Sequence, residues 1–96
     1  MPDEILTFVP EDVIGSLKTK RVQFVCWHKI AEYDNAYTIR YDVASRLFVV
    51  HIESSVWDGR GHEVSDELYD EITLMTQLSA ILNEGQIMSL GFHNLD

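Results

Sequence analysis

The chain has one cysteine, Cys26, and so cannot form an intramolecular disulfide. Basic residues are scarce and stop early. All seven lie between Lys18 and Arg60, and none occurs from Gly61 to Asp96. No apolar run approaches the roughly 20 residues that cross a bilayer as a helix. The opening residues, Met1-Pro2-Asp3-Glu4, are acidic, whereas a signal peptide opens basic and continues apolar. These absences lead to the expectation of a cytoplasmic protein without a membrane anchor. They also count against direct nucleic-acid binding. A phosphate backbone is held by a basic face that releases counterions, and only Lys18, Lys20, Arg21 and Lys29 approach one here.

Acid is abundant. The net charge is −9, and the stretch after Arg60 carries Glu63, Asp66, Glu67, Asp70, Glu71, Glu84 and Asp96. Such a surface keeps a protein in solution, and it also suits a protein partner with a basic surface. The hydrophobic fraction of 46% and charged fraction of 24% are ordinary globular values. Ninety-six residues suffice for one domain, spanning 1–96, with one modest core.

The middle of the chain alternates. Tyr37, Ile39, Tyr41 and Val43 fall on one face of an extended Ala36–Val43, with Thr38, Arg40 and Asp42 on the other. Arg21–Ile30 and Leu47–Glu53 are rich in β-branched and aromatic residues and read as neighbouring strands. Turns at Ala44-Ser45 and Asp34-Asn35 would pair Tyr41 with Phe48, Ile39 with Val50, Ile30 with Ile39 and Cys26 with Val43. The predicted core is Val22, Phe24, Cys26, Ile30, Tyr37, Ile39, Tyr41, Phe48, Val50 and Ile52. Asp58-Gly59 signals a further hairpin, returning as a strand over Arg60–Val64.

Pro10 followed by Glu11 and Asp12 starts a short helix to Leu17, interrupted at Gly15. Ser65 is a candidate N-cap for a longer helix over 66–83, whose stripe is Leu68, Ile72, Met75, Leu78, Ile81 and Leu82, with Gly85 closing it. The tail Gln86–His93 alternates and is compatible with a last strand. The expected fold is α+β: an antiparallel meander of three to four strands packed against one C-terminal amphipathic helix, with a short N-terminal helix.

Chemistry-bearing motifs are weak. Cys26 and His28 are two apart on a strand and share a face, whereas His51 points to the opposite one. A zinc site needs four convergent ligands, so a buried thiol beside a half-buried imidazole against Tyr41 is the expectation. Residues two apart on a strand are also separated by roughly 6.5 to 7 Å, too far for a thiol and its base. The acidic pair Asp70 and Glu71 has nothing nearby to desolvate it. The loop Asp58-Gly59-Arg60-Gly61 lacks the longer pattern of a phosphate-binding loop. No cofactor, metal or catalytic residue is therefore expected.

The second face of the sheet carries Val25, Trp27, Leu47 and Val49 beside Lys29, Arg40, Asp42 and His51. Trp, Arg and aliphatic residues together are how interface cores are built. The N-terminal Ile5, Leu6, Phe8 and Val9, or the tail residues Ile87, Met88, Leu90 and Phe92, are the alternative cover for this face. The expected function is binding or inhibition without catalysis, in the manner of immunity proteins or phage inhibitors of host defence. Trp27, Arg40, Leu47 and Val49, or Asp70 and Glu71, would make the contact. The alternative is an accessory subunit that forms a homodimer through the Trp27 face, and a small metal- or thiol-dependent enzyme ranks last.

Overall fold

The computed structural model describes residues 9–30, 32–56, 61–83 and 86–95. Along the chain come helix α1 (Pro10–Thr19), strands β1 (Val22–Ile30), β2 (Tyr33–Asp42), β3 (Leu47–Val56) and β4 (His62–Tyr69), helix α2 (Glu71–Asn83) and strand β5 (Gln86–Asn94). The strands form one antiparallel sheet in the order β4-β3-β2-β1-β5. β1 to β4 are a meander. α2 then carries the chain back across the sheet, and β5 pairs with β1 at the far edge. The fold is α+β as expected, and the tail is a fifth strand.

The β2–β3 register is the one read from the alternation: Tyr41 faces Phe48, Ile39 faces Val50 and Tyr37 faces Ile52. Its turn is fixed by Asp42, whose carboxylate accepts from the Ser45 amide (3.3 Å) and hydroxyl (2.7 Å). Arg46 completes the turn in the left-handed region, at φ 62°.

The β1–β2 register differs from the expectation. Ile39 faces Phe24 rather than Ile30, and Cys26 faces Tyr37 rather than Val43. Asp34 and Asn35 lie inside β2 and do not form its turn. The Ser54 hydroxyl donates to the Asn35 side chain and holds it within the β2–β3 ladder. Because the displacement is an even number of residues, every side chain keeps its face. Val43, left out of the pairing, is exposed in the β2–β3 turn.

β4 is longer than expected, and the helix after it is shorter. Residues 62–69 pair with β3, so Ser65, Asp66, Glu67 and Leu68 are strand and not the first turn of a helix. A ladder with a long partner outweighs a weak local helical preference. The expected Asp58-Gly59 turn lies outside the described residues. The N-cap of α2 is Asp70, whose carboxylate accepts from the Thr73 amide at 2.8 Å. The buried stripe of α2 is Leu74, Leu78 and Ile81, while Ile72 is 79% exposed. Gly85, expected to close the helix, lies outside the described residues.

α1 runs through Gly15 without interruption, because Val13, Ile14 and Leu17 anchor it from both sides. Both helices pack on one sheet face, α1 over β1 and β2, α2 over β3 and β4. Their buried residues join Phe24, Cys26, Ile39, Phe48 and Val50 in one core, flanked by Val22, Tyr37, Tyr41 and Ile52. No helix among the described residues is long and apolar enough to cross a membrane.

Candidate interaction surface

Strand alternation puts Trp27, Arg40, Leu47 and Val49 on the sheet face opposite the helices. Three rows of side chains cross that face. Arg40, Val49 and Leu68 form one, Val25, Thr38, His51 and Asp66 the next, and Trp27, Ala36, Glu53 and Val64 the third. Leu47 lies beyond Val49 at one end, so Trp27 sits roughly 13 Å from the Arg40 row along the strands. Arg40, Leu47 and Val49 are thus immediate neighbours, and Trp27 marks the other end of the same surface. A shallow depression of about 410 Å³ lies between, lined by Gln23, Thr38, Arg40, Val49, His51 and Asp66.

Among the described residues no element packs over this face. The tail does not cover it: β5 extends the sheet sideways, pairing with β1 from Val22–Asn94 to Lys29–Gln86. α1 packs on the opposite side. Of the N-terminal residues proposed as cover, Ile5, Leu6 and Phe8 lie outside the described residues, and Val9 is exposed. Trp27, Val64 and Leu68 are 38%, 52% and 61% exposed. Val64 and Leu68 belong to this surface because residues 62–69 are a strand. The helical reading of 66–83 hid Leu68, and the alternation of Val64, Asp66 and Leu68 was the available signal.

His51 sits at the centre. Asp66 approaches its Nδ1 at 2.6 Å and Glu53 its Nε2 at 3.1 Å. The two carboxylates, Asp66 most strongly, hold the imidazole pKa above its ordinary value. When protonated, the ring donates through both nitrogens and ties β4 to β3. In that charged state both nitrogens carry protons engaged by carboxylates, so neither accepts a further proton or binds a metal. His62 stands near the same Glu53, at 3.9 Å. Among the described residues no three His, Cys, Asp or Glu side chains are placed to hold one metal ion.

Cys26 and His28 lie on the helix side, both buried. Burial pushes the Cys26 thiol up to about 11. His28 is fully buried rather than half-buried, and its ring lies 5.3 Å from Tyr37, not against Tyr41. A thiol with a raised pKa is a poor nucleophile near neutrality.

Asp70 and Glu71 are separate from the Trp27 surface, at the start of α2. Each has a structural role there. Asp70 caps the helix, and the Thr73 amide holds its carboxyl below the usual carboxylate range. Glu71 accepts from Lys18 of α1 at 2.8 Å, joining the two helices. Asp66 and Glu67 lie instead on opposite faces of β4, where Glu67 accepts from the Tyr69 hydroxyl at 2.6 Å. Compared with protein-family models, with curated proteins and with solved structures, the chain finds no match in any of the three.

Proposed function

We propose that this is a binding protein that acts without catalysis, occluding a surface of another protein with the outer face of its sheet. The observation that carries the reading is the exposure of Trp27, Val64 and Leu68 on a face that no described element covers. Exposed apolar side chains set among polar ones are a feature of interaction sites. Charge selects the partner. Glu53, Asp66 and Asp34 stand on this face, on a chain of net charge −9. The matching surface sets lysine or arginine against the central Glu53 and Asp66, with apolar groups against Trp27, Val64 and Leu68 around them. Inhibition follows if that surface is the partner's own working site. The engaged nitrogens of His51 and the buried Cys26 support a role without catalysis.

The test is parallel affinity capture from the native host with the tagged chain and its Trp27→Ala variant. A partner specific to the native chain is then titrated against both. We expect Trp27→Ala to weaken binding about 30-fold, the cost of truncating an anchoring aromatic. Stability should hardly change, and native binding should weaken as salt rises. If the substitution lowers stability alone, the face is covered from within the chain and the reading fails. If it instead dissociates a homodimer, the face belongs to an accessory subunit.

A further inference from the structure

Among the described residues the sheet ends in two unpaired edges, β4 and β5, and they differ. β4 carries Glu63, Asp66 and Glu67 along one. Charges on an edge strand discourage another chain from pairing with it. β5, the other edge, reads Gln-Ile-Met-Ser-Leu-Gly-Phe-His-Asn, with no Asp, Glu, Lys, Arg or Pro in nine residues. Neither helix makes an extensive contact with it. Ile87, Met88 and Phe92 are 37%, 40% and 36% exposed, and Phe92 meets the core residue Phe24 edge-on at 5.2 Å. A register shift opposite Trp27 and His28 leaves Ser89–Asn94 as the regular part of the edge.

We propose that β5 is a self-pairing edge, at which two copies of this chain join antiparallel along Ser89–Asn94 about a two-fold axis. The product is a continuous sheet with five strands from each copy. Charge decides which edge a second copy can use. A chain of net charge −9 repels itself, and contact through β4 would set acid against acid. Contact through β5 places each acidic β4 edge four strand spacings, roughly 19 Å, from the joint. That exceeds the screening length of about 10 Å at 0.1 M salt. Identical antiparallel strands are also self-complementary and close as a dimer, whereas a β4-to-β5 joint would propagate.

Ser89 and Gly91 pair with Trp27 and Val25, on the open face. A Cβ added at Gly91 meets nothing within 4 Å. The double variant Ser89→Glu with Gly91→Glu therefore places like charges at the joint without touching the core. Sedimentation over a concentration series should show a dimer for the native chain. The variant should raise the dissociation constant about tenfold or more. Amide exchange on the native protein is a second measure that needs no variant: protection of Ser89–Asn94 should rise with concentration. Trp27→Ala should leave the dimer intact, which separates this surface from the partner-binding face. The proposal is overturned by a monomer at every concentration, or by a dimer that resists the double variant or yields to Trp27→Ala. It is equally overturned by full protection of β5 in a monomer, since the edge would then be occupied within the chain.

Discussion

Phe24, Cys26 and His28 follow one another along the helix-side face of β1, all three buried. The surroundings of Cys26 leave its thiolate without solvation, and its pKa of about 11 follows from that desolvation alone. At neutral pH only about one thiol in 10,000 is ionised, on the ordinary tenfold-per-unit titration slope. Cys26 should accordingly react with a thiol reagent no faster than the native fold opens. Labelling should accelerate in denaturant in step with unfolding. Rapid labelling of the folded protein would place the thiol at the surface, against the structure. The burial of Cys26 was legible in the sequence, because a thiol flanked at two-residue spacing by Phe24 and His28 shares their face. The full burial of His28 was not. It depends on how the helices close over the sheet, which no local pattern encodes.

Among elements, residues 62–69 show where local signals mislead. Ser65-Asp66-Glu67 has the composition of a helix start, and Leu68 falls in step with Ile72 and Met75. The same segment also alternates, and eight residues of β3 are available to pair with it. Pairing prevails, and the helix starts instead at Asp70. Two substitutions check this. Leu68, on the open face of β4, should tolerate change to Ala within about 0.5 kcal/mol. Leu78, buried in α2, should lose about 3 kcal/mol on the same change, because a cavity is left in the core. Chemical denaturation of both variants reads the difference, and comparable losses would restore the longer helix. The β3–β4 joint also titrates. Asp66 and Glu53 raise the pKa of His51 above its ordinary 6.5, with His62 standing near Glu53. A raised folded-state pKa gives stability that is complete below 6.5 and fades as pH climbs through the raised value. Native protein should therefore lose thermal stability over that window relative to His51→Gln, with the gap between them closing. A gap independent of pH would mean that the ring is not charged in the folded state.

At the scale of the whole molecule, composition and alternation determined the class of fold. The acidic balance, the absence of a long apolar run and the two-residue period of Tyr37, Ile39 and Tyr41 leave little besides an antiparallel sheet under amphipathic helices. Parity survived even where the register did not. The β1–β2 pairing is displaced by an even number of residues, so Trp27, Arg40, Leu47 and Val49 share a face whichever register holds. What lies over each face, and where each strand sits in the sheet, only the tertiary structure decided. β5 could have crossed the Trp27 surface and instead extends the sheet beside β1. Asp70 and Glu71 could have formed one patch with Asp66 and Glu67, yet a strand end divides them. The reason is physical. Face and period are properties of consecutive residues, whereas cover and neighbourhood depend on contacts between segments far apart in the chain. Their cost in chain entropy and their gain in buried area exist only for the folded molecule.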